Sequence, residues 1–287
     1  MPKSAQPAHA VELSVASDAA RLAGRLQLER YERLERIVHK SQFDVVTEVD
    51  TLSEQLIIDT LRAAFPADAF LAEESGRSHV TGAANESGAT RGRAGGNGAR
   101  PAAVADQRLW VIDPLDGTVN YANGIPVFCV SIGLVEGGQP VVGVIYDPLR
   151  DELFSAVAGA GAQLDGQPIR HPVKDKMSDL VVSLAVSRRG WLSRERAVRQ
   201  RIRVSRVMGS AALALAYVGN GRFDGFIQAG GLSLWDICAA GLIAVEGGAT
   251  VTTLGGGPWF DIASADRSIG LVAAAPAHHR TFLELLA

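Results

Sequence analysis

Six carboxylates in this sequence stand where an apolar run ends or a helix begins: Asp50, Glu73, Glu74, Asp113, Asp116 and Asp236. Each such boundary lets a side chain leave the core and enter a cleft. Asp113 and Asp116 lie close together in "LWVIDPLDGTVN" (109–120), an apolar strand that ends in two acids around a proline. Clustered carboxylates repel one another and need cations to stay ionised. Hard oxygen donors with few His or Cys suit Mg²⁺ rather than zinc. Two such ions about 3.5–4 Å apart can clamp the attacking water and the leaving oxygen of a phosphate ester. Pro114 fixes φ, removes one N–H and stiffens the turn, which leaves the Leu115 carbonyl as a further oxygen donor. Gly117 and Thr118 follow with backbone N–H groups suited to phosphate oxygens. Taken singly, D-P-x-D is an ordinary turn former, Asp236 an ordinary first-turn helix acid, and Glu73-Glu74 an exposed pair. Their joint occurrence points to metal-assisted phosphate chemistry.

The elements that must position these groups follow from periodicity and punctuation. Leu22, Leu26, Leu34 and Ile37 recur at helical spacing, which predicts an amphipathic helix from Ser17 to about Lys40. A second helix is expected behind a Thr51/Glu54 capping box and closes at Pro66, which holds Asp50 just before its N-terminus. "AFLAEESG" is a short strand ending in paired acids. "VFCVSIGLVEGG" and "PVVGVIYDP" flank a Gly137-Gly138 turn, and further strands surround Asp165-Gly166. Ser210–Val218 and "WDICAAGLIAVEGG" are helices that end at glycines, and "ATVTTL" is expected as the last strand. Hairpins interspersed with helices predict a layered α+β fold with mixed sheets. Residues 76–106 are Gly, Ala, Ser, Arg and Asn with almost nothing large and apolar, a composition that predicts a mobile surface insertion. Two lobes are expected, 11–150 with most of the acids and 151–287 with Asp236.

Composition bounds the partners. The 287 residues are 47% hydrophobic, enough for a sizeable core, and the formal net charge of −3 favours no polyanionic partner in bulk. The two cysteines, Cys129 and Cys238, sit in apolar runs and are expected as buried free thiols, which suits a reducing cytoplasm. No apolar run at the N-terminus has the form of a signal peptide or a membrane span. Arg188–Arg206 holds eight arginines and one acid, Glu195. A solvated face is the simple reading, and an anionic-substrate or RNA surface the sharper one. His39, His79 and His171 show no ligand spacing and are expected at the surface. Asp147, before Pro148, is expected as a turn residue.

Four ordered blocks, "DVVTEVD" (44–50), "LAEESG" (71–76), "WVIDPLDGTVNY" (110–121) and "WDICAAG" (235–241), make the chain resemble the inositol monophosphatase family of Mg²⁺-dependent, lithium-sensitive phosphatases over nearly its whole length. The resemblance implies the αβαβα sandwich of the inositol monophosphatase and fructose-1,6-bisphosphatase type, a homodimer, and two to three Mg²⁺. By position it implies that Glu73, Asp113 and the Leu115 carbonyl bind one ion and that Asp113, Asp116 and Asp236 bind a second, with Glu73 shared by a third. Thr118 and Asp50 would orient and deprotonate the attacking water, and the amides of Gly117 and Thr118 would hold the phosphate. Glu74 would support them from behind. Gly209, Ser210, Gln228 and Arg206 would lie on the substrate side. Inositol-selective members have a glutamate before the W-D block. Here the segment is "FIQAGGLSLWD", with Gln228 near that place and one residue more before Asp236. An amide both donates and accepts but is no anionic acceptor. Inositol 1-phosphate is the first expected substrate. Histidinol phosphate, 3′-phosphoadenosine 5′-phosphate, fructose 1,6-bisphosphate and NADP stay open. Some bacterial relatives also act as RNA or transcription-machinery partners, which the arginine run would suit.

Overall fold

The structure, a computed structural model, describes residues 8–33, 37–41, 44–78, 107–186, 191–264 and 267–287. Most of the expected insertion, from residue 79 to 106, lies outside the described residues, as do Arg188 and Arg189 of the arginine run.

A two-stranded hairpin of β1 (Ile37–Ser41) and β2 (Asp44–Thr47) stands apart from two larger sheets. The eight-stranded sheet holds β3 (Ala69–Ala72), β4 (Gly76–Ser78), β5 (Leu109–Asp116), β6 (Cys129–Glu136), β7 (Gln139–Asp147), β8 (Glu152–Val157), β9 (Gly161–Leu164) and β10 (Gln167–Ile169), in the order β10-β9-β8-β7-β6-β5-β3-β4. The five-stranded sheet holds β11 (Val181–Ala185), β12 (Val204–Arg206), β13 (Gly225–Leu232), β14 (Thr250–Thr253) and β15 (Ile269–Ala274), in the order β12-β11-β13-β15-β14. Both mix parallel and antiparallel pairs: β3 runs parallel to β5, and β5 antiparallel to β6.

The layers follow from which faces are apolar. α1 (Ala10–Arg30) and α2 (Glu48–Ala64) place Ala16, Ala19, Ala20, Ala23, Ile57 and Leu61 on one face of the eight-stranded sheet, against Phe70, Trp110 and Ile112. The other face packs on α5 (Ala211–Gly219) and α6 (Leu234–Glu246), which also cover the five-stranded sheet through Phe226 and Leu271. α4 (Leu192–Arg199) and α7 (Pro276–Leu286) close the far side, with Val198, Phe282 and Leu286 against Val182, Ile227 and Val272. The result is the expected αβαβα sandwich. α5 and α6 are apolar around most of their circumference because they are covered on two sides.

Several expectations give way to tertiary structure. α1 begins at Ala10 and ends at Arg30, because Tyr31 leaves the helical region and Glu32 takes a left-handed φ of 60°; Ile37 belongs to a strand. α2 begins at Glu48, so Asp50 lies in its first turn and Thr51 is not a cap. Glu54 is buried instead and serves another segment, as described below. "ATVTTL" forms the edge strand β14 and is not last: β15 inserts between it and β13, and α7 follows. His171 is buried, with Nδ1 2.6 Å from the Val218 carbonyl, because the chain entering the second sheet crosses the end of α5. Cys129 and Cys238 are buried free thiols, and Asp147 caps its own turn by accepting from the Leu149 and Arg150 N–H groups.

Candidate active site

Strand alternation decides where the paired acids point. In β5 Trp110 and Ile112 face α1 and α2, while Leu109 and Val111 face α5 and α6. Asp113 continues the second set. Strict alternation would send Asp116 to the opposite face. The ladder prevents this: Asp113 pairs with Ser131 but Asp116 with Cys129, so three steps on β5 match two on β6. The extra residue is a β-bulge at Pro114-Leu115, where a residue lacking an N–H costs no ladder bond. It returns Asp116 to the face of Asp113. Residues three apart thereby share one side.

α6 supplies the third acid. Ser233 and Asp236 form a reciprocal capping box in which the Ser233 N–H donates to Asp236 Oδ2 at 2.7 Å. The same carboxylate therefore caps the helix and faces the sheet. Oxygens of Asp113, Asp116 and Asp236 lie within 4.8 Å of one another. Asp116 is held at the start of α5 by the Ser210 hydroxyl and by the N–H groups of Ala211 (3.2 Å) and Ala212 (2.9 Å). Asp113 accepts from the Leu115 N–H at 3.0 Å.

Burial raises the pKa of all three. For Asp113 the charges of Glu73, Asp116 and Asp236 add to burial and push it well above the carboxylate range. Asp236 is also pushed well up, by burial and then Asp116, with Arg267 acting weakly the other way. Asp116 rises less, because Ser210 and the α5 amides favour its charged form. A compact, buried set of hard oxygen donors that resists ionisation by itself fits a divalent cation.

A hydroxyl and a further acid stand beside this set. Thr118 opens the short helix α3 (Thr118–Ala122), and its Oγ1 lies 2.9 Å from both Asp50 Oδ1 and the Leu115 carbonyl. Asp50 is 1% exposed. Gly117, the residue before α3, has φ of 100°. Glu73, in the turn after β3, shares with Asp116, Gly209, Ser210, Gln228 and Asp236 a cavity of about 330 Å³. Arg206 is exposed at the end of β12 and donates to the Ser205 carbonyl; its neighbours Val207 and Met208, not Arg206, line that cavity.

Three supporting roles are not expected from the sequence, that of Glu54 replacing its expected place in a capping box. Glu54 accepts from the N–H groups of Glu74 (2.8 Å) and Ser75 (2.9 Å), which fixes the turn that carries Glu73. Gln27, fully buried, donates from Nε2 to the Pro114 carbonyl at 2.7 Å, while its main-chain carbonyl accepts from the Tyr121 hydroxyl. Asn120 donates to the Val127 and Met208 carbonyls and so ties α3 to the loop before Gly209. The only local signal was polarity: Gln27 on the apolar side of a helix, and Asn120 within the third block.

A model of the Inositol monophosphatase family matches residues 10–287. The chain belongs to the inositol monophosphatase family. It is 36% identical to "Inositol monophosphatase 1" of Solanum lycopersicum, covering 88% of this chain and 87% of that protein. It is 37% identical to "Nus factor SuhB" of Xylella fastidiosa, covering 81% and 78%. Among solved structures it resembles the extragenic suppressor protein suhB from Bartonella henselae, with a TM-score of 0.82, 30% identity, and 96% and 98% coverage. The chain is thus a phosphatase-family member with an acidic cluster suited to a metal. Among the described residues no helix is long and apolar enough to cross a membrane.

Proposed function

We propose that this inositol monophosphatase family member is a Mg²⁺-dependent, lithium-sensitive hydrolase of small phosphate monoesters, with inositol 1-phosphate as the first candidate substrate. The observation that carries the reading is the convergence of Asp113, Asp116 and Asp236 beside the Thr118–Asp50 pair. Asp113, Asp116, Asp236, Glu73 and the Leu115 carbonyl would hold two to three ions. Bound Mg²⁺ supplies Lewis acidity that lowers the pKa of water and offsets charge on the phosphoryl oxygens.

This chain's residues do the rest. The Thr118 hydroxyl, hydrogen-bonded to Asp50, orients a water, and Asp50 receives its proton through Thr118. The amides of Gly117 and Thr118 donate to the phosphoryl oxygens. Attack in line with the ester oxygen forms the new P–O bond and breaks the old one, and the departing alkoxide takes up a proton from solvent water. Ser210, Gly209 and Gln228 border the space for the alcohol half. Phosphate release from inositol 1-phosphate, histidinol phosphate, 3′-phosphoadenosine 5′-phosphate, fructose 1,6-bisphosphate and NADP, with Asp113→Asn as control, tests the reading. A preferred substrate by kcat/KM whose turnover is lost in the control supports it; Mg²⁺-independent turnover that survives in the control overturns it.

A second role rests on relatives named Nus factor SuhB and on the arginine run. In this role the protein, cytoplasmic and homodimeric, binds RNA or the transcription machinery through α4 and its flanks. Several of these cations already have partners: Arg199 with Glu195, Arg203 with Asp179, and Arg194 over Trp191. Salt-sensitive RNA binding that persists in Asp113→Asn supports this role, and no binding at physiological salt removes it.

A further inference from the structure

The strand that delivers Asp236 carries an irregularity. On β13, Gln228 pairs with Leu271 and Leu232 with Ile269, so four steps match two on β15. Two extra residues bulge out between Gln228 and Leu232, and Gly231 takes φ of 86°. The bulge meets Arg267. The Gly231 N–H donates to the Arg267 carbonyl at 3.2 Å, and the Arg267 N–H donates to Ser233 Oγ at 2.9 Å. Arg267 is thereby held on both sides of its own backbone by the segment that leads into Asp236. It has φ of 56°, a left-handed conformation that non-glycine residues rarely adopt. Such a conformation persists where the surroundings enforce it and often marks a functional position.

Arg267 is exposed, lines the cavity that holds Glu73, Asp116 and Asp236, and is the one Lys or Arg among that cavity's described lining residues. Its charge reaches Asp236 without offsetting the burial of that acid. Apart from Glu73, Asp116 and Asp236, the other polar side chains on the lining, Ser183, Ser210, Gln228 and Ser233, are neutral. Phosphate at the acidic end is accounted for by the proposed metal site. Arg267, on the lining of the same cavity, carries the planar fork of donors that recognises a phosphate or carboxylate bidentately. Gln228, which lines the same cavity, suits a hydroxyl.

We propose that Arg267 reads a second anionic group, a phosphate or a carboxylate, on the alcohol half of the substrate, as a specificity-determining residue. The inference rests on the phosphatase reading above. Matched pairs test it: fructose 1,6-bisphosphate against fructose 1-phosphate for a second phosphate, and 3-phosphoglycerate against glycerol 1-phosphate for a carboxylate. In at least one pair the charged member is expected to exceed its neutral partner in kcat/KM by about tenfold or more. Arg267→Met is expected to bring that ratio close to one, chiefly through KM, and Arg267→Lys to retain part of it. Arg267→Gly, which relieves the left-handed backbone, gives the same readout if the Met variant folds poorly. A ratio near one in the wild type for both pairs, or a ratio that Arg267→Met leaves unchanged, overturns the proposal.

Calorimetric binding of the same compounds to Mg²⁺-loaded Thr118→Ala protein, with and without Arg267→Met, separates this from failure of the phosphatase reading. A binding preference for the charged member that Arg267→Met removes, with no hydrolysis by the wild type, retains Arg267 and removes the phosphatase reading. No binding preference overturns Arg267 whatever the turnover.

Discussion

Asp113 touches the Leu115 amide and stands among three other carboxylates, so its charge is costly without a cation. Asp113→Asn removes that repulsion along with a proposed ligand. The expected outcome is a loss of kcat/KM of about 100-fold or more, together with a higher melting temperature in EDTA than the wild type. Activity assays and thermal melts on the same preparations check both halves, and a lower metal-free melting temperature contradicts the repulsion argument. Gln27 acts from α1, in the outer helical layer, inward. Gln27→Leu leaves the Pro114 carbonyl without its donor, at a cost of about 1–3 kcal/mol. With the bulge less firmly held, the Mg²⁺ concentration for half-maximal activity is expected to rise by about tenfold. Urea melts and a Mg²⁺ titration measure the two effects, and an unchanged titration would show that the bulge is rigid without Gln27.

At the scale of elements, the site depends on how close α6 comes to the eight-stranded sheet. Gly133 on β6 and Gly143 on β7 are cross-strand partners. A Cβ at Gly133 would lie 2.5 Å from Cys238 Sγ, and one at Gly143 would lie 2.7 Å from the Ala239 carbonyl oxygen. The missing side chains let the helix backbone settle on the ladder, which sets the distance from Asp236 to Asp113 and Asp116. Gly143→Val is expected to push α6 outward, to destabilise the protein by about 1–3 kcal/mol, and to weaken Mg²⁺ binding. Gly137→Ala in the exposed turn of the same hairpin serves as a comparison that meets no neighbour within 4 Å, although its φ of 56° adds its own strain. Denaturant midpoints together with Mg²⁺ calorimetry distinguish the two. Equal Mg²⁺ affinity in both variants would show that α6 seating does not control the site.

At the scale of the whole molecule, the acid cluster links metal, pH and stability. Asp113, Asp116 and Asp236 have folded pKa values raised by burial first. Groups of this kind contribute stability that is fully present below the ordinary carboxylate range, about 4, and is lost as pH rises through the raised values. The Glu152–Arg222 pair works with the opposite sign. The Arg222 hydrogen bond lowers the pKa of Glu152, so that contribution is present above the ordinary range and lost on acidification. From pH 5 to 8, the metal-free protein is therefore expected to lose melting temperature, while the protein in excess Mg²⁺ loses less. The gap between the two curves should widen with pH. Paired scanning fluorimetry series measure it, and a gap independent of pH would mean that the acids do not titrate with the metal.

That acids stand at strand ends and helix starts was legible in the linear chain, at Asp50, Glu73, Asp113, Asp116 and Asp236, and the fold brings Asp113, Asp116 and Asp236 together. The layered α+β class was legible too, since hairpin punctuation and helical periodicity are short-range signals. Tertiary structure decided the rest. Whether Asp116 shares a face with Asp113 depends on one extra residue in the β5–β6 ladder, a property of pairing with β6 and not of β5 alone. The end of α1, the insertion of β15 between β13 and β14, and the burial of His171 depend on what packs against each segment. Glu54, Gln27 and Arg267 act through contacts to residues remote in the chain, which carry no periodic signal. Local sequence therefore determined which groups are available for chemistry. Long-range pairing and packing determined which of them meet, because strand register and the close approach of a helix arise only when distant segments bury one another's surfaces.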